Sequence, residues 1–148
     1  GHKGIDLNRC WGPFTKMTSN RNYNGTAECQ AYEAQYLRSF LLNHKSQNGQ
    51  TLLVDLHGWM TQVIGDPIIS SYYCTQFPES DRSSINRYGT GFLINWARNN
   101  LGSTTRACRS ALIELPSAGV NGHQSVINKN FSGRYIEATL SMLRNMSV

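Results

Sequence analysis

Hydrophobic residues recur in helical spacing over three stretches of the chain. The first covers about residues 27–44, and Thr26 is placed to cap its start. The second covers residues 90–101 and is followed by Gly102, a residue type that commonly ends helices. The third covers about residues 130–144. The spacing therefore predicts three helices, each with one apolar face.

Short continuous apolar runs lie between these helices. Residues 51–57 and 110–115 are rich in Leu, Val and Ile, which is typical of buried strands. Weaker signals predict a strand end at residues 4–7 and a short strand near residues 63–64. Two stretches rich in turn-forming residues predict loops: residues 11–25 and most of 58–82. Because strands alternate with helices, the pattern predicts an α/β layer fold.

The length and composition fit one ordinary folded domain. The chain has 148 residues and 16.6 kDa, and hydrophobic residues make up 39% of it, which is enough for a core. No apolar run approaches the roughly 18 residues that span a membrane, so we expect no transmembrane helix. Residues 1–15 are polar and do not resemble a secretory signal. A mature or trimmed chain would look the same, so the compartment stays open.

The distribution of charge argues against nucleic-acid binding. The chain has 14 Lys and Arg residues against 9 Asp and Glu, for a formal net charge of +5. Nucleic-acid binders cluster positive charge on one face or in one run, whereas the arginines here are scattered from Arg9 to Arg144. We interpret the charge as mild surface basicity, and one or two arginines remain candidates to bind the anionic end of a ligand.

Two polar residues stand out at the ends of the predicted strands. His57 ends the first buried strand, and Glu114 lies in the apolar run Leu-Ile-Glu-Leu-Pro. Ligands of open α/β sheets bind outside the carboxyl ends of the strands. An imidazole that binds zinc and a carboxylate that takes a proton from water would suit metal-assisted hydrolysis. The structural alternatives are a hydrogen-bonded structural histidine and an interior ion pair of the glutamate.

Asn8 and Arg9 follow the predicted strand end at residues 4–7. The guanidinium group of arginine presents a planar fork that matches a carboxylate, and an adjacent amide can add hydrogen bonds. This pair is therefore a candidate site for the terminal carboxylate of a peptide. The alternative is a surface arginine beside a turn-forming asparagine.

Four segments together resemble the zinc carboxypeptidases of the carboxypeptidase A type, in the family's order and rough spacing. They are Gly4-Ile5-Asp6-Leu7-Asn8-Arg9-Cys10-Trp11, Val54-Asp55-Leu56-His57-Gly58, Thr90-Gly91-Phe92-Leu93-Ile94-Asn95-Trp96-Ala97 and Leu112-Ile113-Glu114-Leu115-Pro116. The third segment departs from the family, which usually has Asp where this chain has Asn95. The resemblance covers nearly the whole chain and implies a three-layer α/β/α fold with a mixed sheet.

The resemblance also implies roles for individual residues. His57 would be a zinc ligand, and Glu114 would be the general base. Asn8 and Arg9 would bind the C-terminal carboxylate of the substrate. Tyr88 would close over the substrate, although it lies about one residue short of the family's spacing. Arg87 would bind the substrate beside it. Ile94 would line the pocket for the terminal side chain. For Ile94 the alternative is a core position, and for the other two an ordinary loop.

The implied zinc site is incomplete in this sequence. The family's H-x-x-E pair lies well upstream of the Gly4–Arg9 segment, and His2 cannot replace it because Ile5 stands three positions later. Catalytic zinc usually has three protein ligands. We therefore interpret residues 1–148 as a partial catalytic domain, the C-terminal half, and expect the isolated chain to be inactive. The missing half or self-association would cover the strand edge that this half leaves open.

The resemblance implies a metallocarboxypeptidase that removes residues from peptide C-termini. Bacterial members of the family often act on peptidoglycan peptides, which implies a secreted protein at the cell envelope or outside the cell. The alternative function is a non-catalytic module that binds peptide carboxylates and has lost the metal.

The cysteines add a separate question. The chain contains no C-x-x-C spacing of the kind that binds zinc, and four cysteines allow two disulfides in any of three pairings, or free buried thiols. Cys10 stands where the resembled family usually has Asn. A Cys10–Cys29 bond would close a loop of about 20 residues, and Cys74 with Cys108 would form the second bond.

Overall fold

The computed structural model describes residues 4–19, 21–84 and 90–146. Its helices are α1 (Tyr32–His44), α2 (Pro67–Gln76), α3 (Leu93–Asn100), α4 (Gly122–Asn128) and α5 (Phe131–Asn145). Its strands are β1 (Leu52–Gly58), β2 (Gln62–Gly65), β3 (Asp81–Ser83) and β4 (Arg109–Leu115). Helices alternate with strands along much of this part of the chain, which confirms the predicted α/β class.

The four strands form one mixed sheet in the order β1-β4-β2-β3. Strand β2 is antiparallel to β4, with Gln62 opposite Glu114 and Ile64 opposite Leu112. It is parallel to β3, with Val63 opposite Arg82. The predicted mixed sheet is therefore confirmed. Strand β1 lies at one edge of the described sheet, and β4 lies inside it.

The chain divides into two compact units, each made of two stretches of sequence. The described parts of Gly1–Thr51 and Tyr88–Arg109 form the first unit, which contains α1 and α3. The described parts of Leu52–Arg87 and Ser110–Val148 form the second, which contains almost the whole sheet with α2, α4 and α5. No helix in the described ranges is long and apolar enough to cross a membrane.

The core of the second unit lies where the sheet meets α2 and α5. Its buried members are Val63, Ile69, Tyr73, Cys74, Ala111, Ile113, Ala138 and Met142. The hydroxyl group of Tyr73 reaches Thr139 on α5 at 2.9 Å, so the one polar atom of this large ring is hydrogen-bonded. The core thus joins the strand pair β2–β4 to two helices that are far apart in sequence.

Helix α2 was not predicted, and its stretch was expected to be mostly loop. Its sequence is rich in Ile, Ser, Thr and Tyr, which have modest helix propensity. Its start is nevertheless well defined, since the Asp66 carboxylate accepts hydrogen bonds from the backbone of Ile68 and Ile69, and Pro67 occupies the first turn. Packing of its buried face then decides the structure. Strand β3 and helix α4 were also missed.

Two predictions in the first part of the chain are wrong, the start of α1 and the strand at residues 4–7. Helix α1 begins at Tyr32, about five residues later than predicted, and Ala31 precedes it without a side-chain cap. Thr26 hydrogen-bonds the side chain of Gln30 instead of capping a helix. Residues 4–7 form no strand, because the chain turns there through a hydrogen bond from Arg9 N to Asp6 O.

The packing of α5 on α2 leads to a first prediction about Arg134. Its guanidinium donates to both oxygens of Glu79, at 2.9 and 2.7 Å, and to the Gln76 carbonyl at the end of α2. We expect Arg134→Lys to lower the free energy of unfolding by about 1–2 kcal/mol at pH 7, since lysine lacks the fork that makes these bonds together. Urea unfolding measures the loss, and the exposed Arg144→Lys is the control.

The same loss should depend on pH. Burial alone would raise the pKa of Glu79, but the hydrogen bonds from Arg134 and the backbone outweigh it and hold the pKa below 4.5. A depressed carboxyl pKa stabilises the folded chain above the ordinary value and ceases to do so as the pH falls through the folded value. The difference between wild type and Arg134→Lys should therefore shrink at pH 3. A difference that grows on acidification would contradict this assignment.

Candidate functional site

The second unit brings together the strands that carry the two predicted chemical residues. Strands β1 and β4 are neighbours in the sheet. His57 is the next-to-last residue of β1, and Glu114 is the next-to-last residue of β4. The prediction that both residues lie near strand ends is therefore confirmed.

Asp55 orients the imidazole of His57. Residues two positions apart lie on the same face of a strand, and Oδ1 of Asp55 is 3.0 Å from Nε2 of His57. An ionised carboxylate only accepts hydrogen bonds, so Nε2 carries the proton and Nδ1 carries the lone pair in the neutral ring. Histidines that bind metals commonly have such a carboxylate on their second nitrogen. Sequence analysis missed Asp55, although Asp-x-His on a strand is a usable signal.

Glu114 carries an oxygen atom that its surroundings do not satisfy. Oε2 is buried and has no hydrogen-bond partner among the residues that the structure describes. Gln62 lies directly opposite on β2, but its side-chain amide donates to Ser83 Oγ at 2.8 Å. None of the ion pairs within the described ranges involves Glu114, so the interior ion pair considered as an alternative has no support there.

The described residues do not complete a zinc site. No group of three or more His, Cys, Asp and Glu side chains in the described ranges is arranged to hold a metal ion. His57 is the only predicted zinc ligand, whereas a catalytic zinc ion usually has three protein ligands. The chemistry of the donor set therefore fits one part of such a site and not a whole one.

The first unit positions Asn8 and Arg9 through backbone contacts. Oδ1 of Asn8 accepts a hydrogen bond from Leu93 N at 3.0 Å and so satisfies a free N–H group at the start of α3. The carbonyl of Arg9 accepts from Nδ2 of the buried Asn24 at 3.0 Å. Gly91 packs against the same carbonyl, and a Cβ atom there would lie 2.6 Å from it. The backbone of this segment is thereby fixed.

The guanidinium group of Arg9 lies 4.1 Å from the centre of the Phe92 ring, and its Nη1 donates to the Asn8 carbonyl at 2.8 Å. No carboxylate in the described ranges forms an ion pair with Arg9. Stacking on a ring orients the fork and leaves its edge for hydrogen bonds. This geometry suits carboxylate binding, and Phe92 is a contributor that sequence analysis missed.

The other predicted substrate-binding residues are less informative. Ile94 is only 2% exposed and lies on the buried face of α3, as the core alternative expects. Its role in a specificity pocket stays a prediction. Arg87 and Tyr88 lie outside the described residues.

Comparison with known proteins finds similarity to a bacteriocin. No protein-family model matches the chain. Bacteriocin BCN5 of Clostridium perfringens is 33% identical over 146 residues, which cover 96% of this chain and 15% of the bacteriocin. The chain thus spans a small part of the length of this relative.

The Asp55–His57 pair gives a second prediction. Nitrogen-15 NMR of the imidazole at pH 8 should find the Nε2–H tautomer for His57 in the wild type. In Asp55→Asn the obligate acceptor is replaced by an amide that can donate or accept, so the signals should move toward averaged tautomers. The exposed His123 is an internal control whose signals should not change. A wild-type Nδ1–H tautomer would contradict the orientation described above.

Proposed function

We propose that the chain is the C-terminal part of a zinc carboxypeptidase-like hydrolase that cleaves the C-terminal bond of peptides. The observation that carries the proposal is the buried Oε2 of Glu114, which has no hydrogen-bond partner among the described residues and lies on the strand next to that of the Asp55-oriented His57. An unpaired carboxylate oxygen inside a protein is costly, so it is expected where a ligand or a reaction uses it.

Each proposed role follows from the chemistry of the side chain. Glu114 would take a proton from the water that attacks the peptide carbonyl and deliver it to the departing amine. Arg9 and Asn8 would bind the terminal carboxylate and so select the last bond of the peptide. His57 would supply one zinc ligand, and zinc in the complete domain would polarise the carbonyl. The remaining ligands would come from an upstream segment.

The comparison supports a proposal about the substrate and the location. The relative is named a bacteriocin, and a bacterial protein directed against other bacteria can act on their cell-wall peptides. We therefore propose peptidoglycan peptides as the substrate class and a secreted or cell-envelope location. The small share of the bacteriocin that the chain covers supports its being one piece of a longer protein.

The proposed partner is the missing upstream half of the domain, or a second copy of the chain. Strand β1 carries His57 and lies at the edge of the described sheet, and Leu56 on it is 47% exposed. A strand edge presents unpaired backbone groups to any strand that can add to it. No nucleic-acid partner and no membrane span form part of the proposal.

A third prediction tests the hydrolase. The isolated chain should hold far less than one zinc ion per molecule by elemental analysis and should not release C-terminal residues from peptides. The parent protein, with an upstream H-x-x-E segment, should hold about one zinc and cleave. In that parent protein Glu114→Gln should lower kcat about 10²–10⁴-fold with unchanged zinc content, because a general base contributes this much.

The matched control is Glu137→Gln on the exposed surface of α5, which should retain activity. An upstream sequence without H-x-x-E, or full activity of Glu114→Gln, would overturn the hydrolase proposal.

The second candidate is a binding module for peptide carboxylates, and the geometry of Arg9 favours it. The ring-stacked guanidinium group has no carboxylate partner in the described ranges, and the described residues do not complete a metal site. Binding of a carboxylate needs only the stacked guanidinium group. Hydrolysis needs a complete metal site in addition. The two candidates therefore differ in whether the chain works without further ligands.

A fourth prediction tests this module with the isolated chain and a short peptide. Calorimetry should give at least about tenfold tighter binding of the free carboxylate than of the C-terminal amide, since hydrogen bonds to charged groups contribute about 1.5–3 kcal/mol. Arg9→Met should abolish the difference, and Arg9→Lys should reduce it because lysine lacks the fork. The exposed Arg21→Met is the control. Equal affinity for both peptides would contradict the proposal.

A further inference from the structure

Cys10 and Cys29 form a buried pair of thiols in the first unit. Their exposed fractions are 0% and 2%, and both are free thiols in the structure. The backbone N–H of Cys29 donates to the carbonyl of Cys10 at 2.8 Å, so the two residues are direct neighbours in the fold. The pair thus joins two positions that lie 19 residues apart in the sequence.

The backbone hydrogen bond holds the two residues side by side. Disulfides need Cα atoms about 4.4–6.8 Å apart, and a direct N–H···O=C bond between two residues keeps them at about that separation. Cys29 has a φ of 48°, a left-handed conformation that a residue with a side chain seldom adopts. Holding a cysteine in this conformation is understandable if its sulfur atom has to face Cys10.

Burial and the neighbouring charges affect the pKa values of the two thiols differently. Burial and the neighbouring Cys29 raise the pKa of Cys10 to about 11. Burial and then Glu28 raise the pKa of Cys29, while Arg38 beside it acts in the opposite direction. Arg38 also pairs with Glu28 at 3.6 Å, so its charge is held near the Cys29 sulfur. Arg38 thus favours the Cys29 thiolate over that of Cys10, but both pKa values are raised, so exchange is fastest while the chain folds and the pair is still exposed.

We propose that Cys10 and Cys29 are a redox pair that closes to a disulfide when a low-molecular-weight disulfide is available as oxidant. The Cys29 thiolate attacks one sulfur of that reagent, forming a mixed disulfide and releasing one thiol. The Cys10 thiolate then attacks the Cys29 sulfur and releases the second thiol. Two protein thiols are oxidised, the reagent disulfide is reduced to two thiols, and the protons pass to solvent and the released thiolates.

The bond would act on the segment that carries Asn8 and Arg9. It would tie the residue next to Arg9 to the loop before α1, alongside the hydrogen bond that Asn24 makes to the Arg9 carbonyl. The fixed segment should then hold the guanidinium fork in place. This consequence rests on the proposed carboxylate-binding role of Arg9, whereas formation of the bond does not.

The remaining cysteines provide the matched control. The Cys74 thiol contacts the carbonyl of Ser80 at 4.0 Å, and the Cys108 thiol contacts that of Arg109 at 3.6 Å. Both are buried free thiols like the proposed pair. The Cys10 thiol likewise contacts the Leu7 carbonyl at 3.4 Å, so the feature that distinguishes the proposed pair is its direct backbone hydrogen bond. We propose no bond between Cys74 and Cys108.

The test refolds the full chain in a mixture of oxidised and reduced glutathione and counts thiols under denaturant. We expect two thiols instead of four, a mass lower by about 2 Da, and a non-reduced peptide map that joins Cys10 to Cys29. A Cys74→Ala/Cys108→Ala variant should still form the bond, and Cys10→Ala should not. Four thiols, or a map joining other cysteines, would overturn the proposal.

Thermal unfolding provides a second readout that does not involve peptide binding. Closing a loop of about 20 residues should raise Tm by about 6–12 °C in the oxidised chain relative to the reduced chain. An unchanged or lower Tm would overturn the proposal that the pair is preformed for the bond. If the bond forms but carboxylate affinity does not change, the proposed effect of the bond on Arg9 fails, while the redox pair and the carboxylate-binding proposal stand.

Discussion

Strand β4 is the constraint on which the second unit depends, because it pairs with β1 on one side and with β2 on the other. Its residues Ala111 and Ile113 are buried in the core with residues of α2 and α5. Opposite Ala111 stands Gly65, where a Cβ atom would lie 2.5 Å from the Ser110 carbonyl. Close pairing of these strands therefore requires glycine, and the same pairing fixes where Glu114 lies.

Glu114 differs from other charged residues of this unit in its hydrogen bonding. Asp66 accepts two hydrogen bonds from the start of α2, and Arg134 donates to Glu79 and to a carbonyl at the end of the same helix. These charged groups are therefore hydrogen-bonded at the two ends of α2. Oε2 of Glu114, in contrast, is buried without a partner among the described residues, which is uncommon for a polar atom inside a folded protein.

The first unit shows how a backbone can free a side chain for binding. The Arg9 backbone is held by Asn24 and by the close approach of Gly91, so the side chain is not needed to anchor the segment. Its guanidinium group stacks on Phe92 instead. The thiol pair begins at the next residue, so a redox change at Cys10 would act directly on this anchored segment. The main chain thus anchors the segment, and the side chain remains available for the proposed carboxylate binding.

The sequence by itself determined the α/β class, strands β1 and β4, and helices α3 and α5, because short continuous apolar runs and 3.6-residue periodicity leave few alternatives. It also determined which residue types were available for chemistry, such as His57, Glu114 and Arg9. Only the tertiary structure decided helix α2, whose weak propensity is overcome by an Asp66 cap and a buried face. It alone decided that Phe92 supports Arg9 and that Cys29 meets Cys10. Those contacts depend on pairing and packing between distant segments, which local patterns do not encode.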